Sequence, residues 1–228
     1  MLFVHIAGLL RCRFRGRPAR RAQRHRMHLV TLAGCTEPDA RPQQVLDWLA
    51  DWLGHYGLPV RAIRPGLLPA EDLLHARREA PAIRAAVQVL AGAQALLIAT
   101  PVRLGTYTGV LKTFLDLLPA GALAGVRVLP LACGGEASRQ LTLHYALKPV
   151  LDALGASGVL SSLQIGARQA RLHDDGLLVL DPGVETRIEA ALLRLLAGLP
   201  LAASLPTDAL PPPPRALRRL PSAGRPAG

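Results

Sequence analysis

The sequence predicts an α/β protein built on a doubly wound, five-stranded parallel sheet of order 2-1-3-4-5, with helices on both faces. Two observations carry this. Between Met27 and about Leu199, short apolar runs alternate with stretches of helical periodicity, and that alternation argues for right-handed crossovers between parallel strands. Residues 100–112 join an apolar run to a helical one through a loop of small residues. In an open parallel sheet, such loops at the strands' carboxyl ends are where ligands sit.

The first strand is the apolar run 28–33, and a helix is expected over about 43–56. There Val45, Leu49, Trp52 and Tyr56 share one face, with Leu46 and Leu53 beside them. A second strand is expected over 59–64, a helix over 81–90 and the third strand over 95–99. The next helix covers 109–118, with Phe114, Leu115, Leu117 and Leu118 at helical spacing and Pro119 closing it. Residues 126–132 form the fourth strand, although Pro130 argues against a central position because proline cannot donate to the ladder. A helix over 138–154, a fifth strand over 159–165 and a final helix over 185–196 complete the pattern. Gly198 and Pro200 supply the last stop signal. The run 177–180 reads as an extra strand or as part of a loop. No internal repeat is present.

The formal net charge of +11 suggests a nucleic-acid partner until it is located. Residues 1–26 hold eight arginines and no acid, and residues 205–228 hold four arginines against Asp208. Between them stand 15 basic and 15 acidic residues, so the core is neutral and the net charge says nothing of a basic face on the domain. Neither a nucleic acid nor a membrane is therefore an expected partner of the domain. The first segment runs apolar and then Arg-rich, the reverse of a secretory signal, and its apolar part is too short to span a bilayer. Met27 precedes the first strand directly, which points to translation starting there; the alternative is an arm that touches anionic lipid or RNA. Residues 205–228, with Pro211–Pro214, have the composition of a disordered extension. The expected organisation is thus an extension over 1–26, one domain over 27–204 and a tail over 205–228. Cys12, Cys35 and Cys133 form neither a metal pattern nor an even disulfide set, so a reduced, cytoplasmic setting is expected. His144 and His173 lack spaced metal-binding partners, and Asp174-Asp175-Gly176 reads as a turn.

In the expected sheet, the loops 34–43, 100–108 and 133–138 converge at the switch point between strands one and three. Pro101 fixes a turn, and Gly105 lets the backbone approach a flat partner. Gly134 and Gly135 follow the fourth strand, where paired glycines suit either flat approach or helix–strand packing. No catalytic acid, base or nucleophile emerges, so backbone loops must carry the chemistry.

Residues 95–151 contain Thr100-Pro101-Val102, Tyr107-Thr108-Gly109-Val110-Leu111-Lys112, Leu115-Asp116-Leu117-Leu118-Pro119 and Leu129-Pro130-Leu131-Ala132. They continue with Gly134-Gly135 and Tyr145-Ala146-Leu147-Lys148-Pro149-Val150-Leu151. In these strings the chain resembles the NADPH-dependent FMN reductases of the flavodoxin-like superfamily, especially those serving alkanesulfonate-utilisation systems. A weaker likeness runs from Met27 to about Leu199. The resemblance implies a flavodoxin-like fold with FMN and NADPH as ligands. It also implies hydride transfer from nicotinamide to flavin N5, release of reduced flavin to a partner monooxygenase, and a homodimer or homotetramer. The implied cofactor contacts are Gly34, Cys35, Thr36, Arg41, Thr100, Pro101, Val102, Arg103, Gly105, Cys133, Gly134 and Gly135, with no metal. Tyr107 matches a tyrosine that such proteins place in an irregular helix at the subunit contact; a buried core tyrosine is the other reading.

The first loop departs from the family's G-S-x-R start. Cys35 replaces the serine, Glu37 the arginine and Ala40 a later serine, so Glu37 and Asp39 stand where a doubly charged phosphate is expected. Arg103 replaces an aromatic residue and Cys133 a threonine. Arg103 reads as a solvated charge, or as a group that stacks on the ring, steadies reduced flavin or meets a nicotinamide-nucleotide phosphate. Two alternatives follow from these changes. One is a preference for riboflavin or a quinone-like acceptor; the other is a degenerate paralogue that binds no flavin and serves as a partner subunit.

Overall fold

The computed structural model describes residues 27–37, 39–134, 140–172 and 178–203. The extensions predicted before Met27 and after Ser204, and the residues His173 to Gly176, lie outside them.

Strand β1 (His28–Ala33) leads into α1 (Arg41–His55), then β2 (Val60–Ile63), a 3-10 turn (Pro65–Leu67) and α2 (Ala70–Leu74). Helix α3 (Pro81–Gln88), β3 (Ala93–Pro101), α4 (Gly109–Leu117) and β4 (Arg127–Cys133) follow. The chain continues through α5 (Gln140–Ala146), α6 (Lys148–Ala153), β5 (Gly158–Val159) and β6 (Leu163–Ile165). It ends in the pair β7 (Ala170–Leu172) and β8 (Leu178–Leu180), α7 (Pro182–Leu196) and a second 3-10 turn (Pro200–Ala202). The sheet order is β2-β1-β3-β4-β5, all parallel, with β6 also pairing β4. This is the expected doubly wound order.

Alternation along the strands divides the core. Leu29, Leu97, Ala99, Leu129 and Leu131 face α1, α7 and the β7–β8 pair, where Trp48 and Trp52 pack with ring centroids 5.2 Å apart. Val30, Leu32, Leu96, Ile98 and Val128 face α2 to α6. Each buried Leu, Ile or Val side chain among these contributes about 1.5–3 kcal/mol relative to exposure.

The expected fifth strand is divided into β5 and β6, and Pro130 explains the break. The carbonyls of Val126 and Val128 accept from Ser157 and Leu160, and Gly134 N–H donates to Ile165. Even-numbered β4 residues therefore bond toward this edge, and Pro130 has no N–H to offer there. The partner strand leaves the ladder at residues 160–162, opposite the missing donor. Proline thus sits in a central strand by interrupting its neighbour. The helix expected over 138–154 is likewise two helices, α5 and α6, meeting at Leu147 just before Pro149. Within the run 177–180, Leu178–Leu180 form strand β8, antiparallel to β7.

Candidate functional site

A cleft of about 260 Å³ opens at the carboxyl ends of β1 and β3, lined by Cys35, Thr36, Glu37, Pro101, Arg103, Thr108, Gly109 and Val110. Its two walls are tied together by hydrogen bonds. Gly34 N–H donates to Ala99 carbonyl at 2.7 Å, and Thr108 Oγ1 donates to Gly34 carbonyl at 2.7 Å. Thr108 is also the N-cap of α4, accepting from Leu111 N–H. Beneath them Thr100, fully buried, contacts Gly34 carbonyl through its hydroxyl and receives Thr108 N–H at 3.4 Å. Glycine is required at 34: a β-carbon there would stand 2.9 Å from Thr100 Cβ and Oγ1 and 3.0 Å from Leu111 Cδ2.

The wall after β3 is a two-residue hairpin. Arg103 and Thr106 exchange both backbone hydrogen bonds, with Leu104 at φ 49° and Gly105 at φ 78°. Positive φ at both central residues defines a type I′ turn. Leu104 is fully exposed at its tip, an apolar side chain held in left-handed backbone. Tyr107 immediately precedes the N-cap of α4 and is buried in the core. It therefore lies outside the helix, and α4 itself is regular from Gly109 to Leu117.

Of the twelve expected contacts, Cys35, Thr36, Pro101 and Arg103 line the cleft. Gly34 and Thr100 brace it, and Gly105 shapes the hairpin. Val102 and Cys133 are buried and do not line it. Burial, countered by Arg41, pushes the Cys133 thiol up to about 12, so it is a neutral packing group. Arg41 turns from the cleft: its Nε donates to Ala170 carbonyl at 2.9 Å, and its Nη1 lies 3.8 Å from where a β-carbon on Gly134 would stand. Gly134, at φ 86°, has its carbonyl held by Gln164 Nε2 at 2.9 Å. Gly135 lies outside the described residues. Among them, no group of three or more His, Cys, Asp or Glu is placed to hold a metal ion.

Three features of the site were not expected. Gly66, in the 3-10 turn after β2, backs onto the first loop so closely that a β-carbon would meet Cys35 carbonyl at 2.6 Å. The signal was a Pro65-Gly66 pair after an apolar run. Thr108 carries a recognisable N-cap signal, a threonine before an apolar helical pattern. Gln164 had none: its buried Oε1 lacks a hydrogen-bond partner, an open acceptor beside the third loop.

Main-chain walls and small side chains fit a planar, hydrogen-bonding ring. A doubly wound sheet with such a cleft at its switch point defines a flavodoxin-like, nucleotide-binding class of protein. The family model for NADPH-dependent FMN reductase matches residues 27–169, and the chain belongs to that family. It is 38% identical over 175 residues to the FMN reductase (NADPH) of Escherichia coli, an alignment covering 73% of this chain and 86% of the relative. It is 41% identical over 137 residues to the FMN reductase (NADPH) of Pseudomonas putida, covering 60% and 70%. Among solved structures, an apo NADH:FMN oxidoreductase (EMOB) superposes with a TM-score of 0.66 at 28% identity, covering 83% of this chain and 97% of that one. Membership makes the protein an oxidoreductase of the flavin-reducing type.

Proposed function

We propose that this protein reduces flavin with hydride from a reduced nicotinamide nucleotide and hands the product to a partner monooxygenase. The cleft between the first loop and the Arg103–Thr106 hairpin is the observation that supports this reading. A flavin, when bound, would supply the redox chemistry by accepting hydride from the nicotinamide nucleotide. The chain's own part is geometric. Thr108 and Thr100 lock the wall after β3 to Gly34, so the cleft keeps its width before a ring enters. Cys35 closes one side with a thiol that burial, together with the charges of Glu37 and Asp47, keeps protonated. Main-chain groups of residues 100–105 and 133–134 would orient the ring. The same reading includes a cytoplasmic homodimer or homotetramer.

The similar proteins include an FMN reductase named for NADPH and an oxidoreductase named for NADH, so the test uses both. Steady-state oxidation of each nucleotide by the full chain is expected to require added flavin. Failure to oxidise either nucleotide with any flavin overturns the proposal and leaves the non-binding paralogue.

A further inference from the structure

Among the described residues lining the cleft, Arg103 carries the only positive charge and Glu37, on the facing wall, the only negative one. The neighbouring basic groups are engaged elsewhere. Arg41 donates to Ala170 carbonyl, Arg64 pairs with Asp47 at 2.9 Å, and Lys112 pairs with Asp116 one turn along α4. Arg103 is exposed and makes no ion pair among the described residues.

Its backbone, by contrast, is fixed. The Arg103 N–H donates to Thr106 carbonyl at 2.9 Å, and its carbonyl accepts Thr106 N–H at 3.0 Å. Further along the same wall the Thr108 hydroxyl bonds Gly34 carbonyl at 2.7 Å, so the base of the Arg103 side chain stands at a set distance from the first loop. Arg103 lines the cleft and Leu104 at the tip does not, so the turn directs the guanidinium and not the leucine toward the ligand space. A guanidinium offers a planar fork of donors that matches phosphate oxygens, and a fixed base reduces the ordering that such a contact costs.

Two phosphate-bearing ligands meet here in the flavin-reductase reading. The flavin's phosphate belongs at the turn between β1 and α1, where a doubly wound fold receives it. Arg103 stands on the other wall and reaches solvent, the side from which a second nucleotide must approach a ring already seated between the walls. We infer that Arg103 pairs with a phosphate of the nicotinamide nucleotide and so sets the affinity for the hydride donor, not for the flavin. The inference rests on the flavin-reductase reading and adds to it the group that anchors the donor. Such a contact serves ground state and transition state alike, so it belongs to KM and not to the hydride step.

The test loads the full chain with flavin and titrates it with NADP+ and NAD+, which cannot reduce the ring, by isothermal calorimetry. The natural protein is compared with Arg103→Gln and Arg103→Lys; the side chain is exposed, so neither substitution disturbs the core. Arg103→Gln is expected to raise the Kd of NADP+ by at least about fivefold. An equal rise for NAD+ assigns the contact to the pyrophosphate that both nucleotides carry, and a smaller one to the 2′-phosphate. Arg103→Lys, which keeps the charge without the fork, falls between. Added salt should weaken NADP+ binding more steeply in the natural protein than in Arg103→Gln, a difference that a merely structural role would not produce. In turnover, KM for NADPH should rise with kcat little changed. Quenching titrations with FMN and riboflavin are expected to shift by less than about threefold. A smaller rise for NADP+, binding of flavin without NADP+, or a larger shift for either flavin overturns the inference and leaves the reductase reading to the turnover assay. A natural protein that binds neither flavin nor nucleotide overturns both.

Discussion

At the end of β4, burial makes Cys133 a proton-holding group. The folded thiol is pushed up to about 12, while an unfolded thiol ionises near about 8.5. The folded state therefore binds the proton more tightly. The resulting stability is full below the unfolded value and disappears as pH rises from about 9 toward about 12, with a slope of at most about 1.4 kcal/mol per pH unit. Cys35 and Tyr107 shift in the same direction, each chiefly through burial. The urea midpoint is expected to fall steeply above about pH 9 in the natural protein and less steeply in Cys133→Ala. Equal slopes in the two proteins contradict the assignment. At this scale the sequence located the loops but not the uses of their donors. Glycine and proline marked the turns, whereas the hydroxyl tie from Thr108 to Gly34 carbonyl depends on loop geometry that no spacing encodes.

Helix α4 shows how one element ties the site together. Its N-cap, Thr108, serves its own helix through Leu111 N–H and the opposite wall through Gly34 carbonyl at 2.7 Å. Thr108→Val keeps the shape and removes both bonds, and is expected to lower unfolding stability by about 1–2 kcal/mol and weaken flavin binding. Thr108→Ser is expected to restore most of both. Denaturant unfolding beside flavin titration checks this; loss of stability with unchanged binding would show that the tie does not hold the cleft. Elements of this length were legible because α4, α1, β1, β3 and β4 each carry a long apolar pattern. The short ones were not. Helix α2 has five residues, too few for periodicity to register, and β5 and β6 read as one strand because their shared apolar character hides the gap opposite Pro130. Pro149 was visible in the helix expected over 138–154; lacking an N–H, it omits one bond of the helical ladder, and the division falls at Leu147, while Leu143, Leu147 and Leu151 keep one core face.

Over the whole molecule, charge and chemistry are segregated. The sheet, both core faces and the cleft lie within residues 27–203, where basic and acidic residues balance, while twelve of the 27 basic residues stand at the two ends. No helix among the described residues is long and apolar enough to cross a membrane. A balanced domain whose cleft is walled by its own loops does not draw on the terminal arginines to form that cleft. Attraction to polyanions, by contrast, scales with clustered positive charge and is screened by salt within about 10 Å at 0.1 M. A shortened chain spanning 27–204 is therefore expected to retain the full chain's flavin-dependent nucleotide oxidation per molecule and to lose its retention on immobilised heparin. If retention survives in the shortened chain, the domain itself carries a basic face that its balanced composition conceals. If oxidation disappears with the ends removed, the arms complete the site and the segregation of charge from chemistry is wrong.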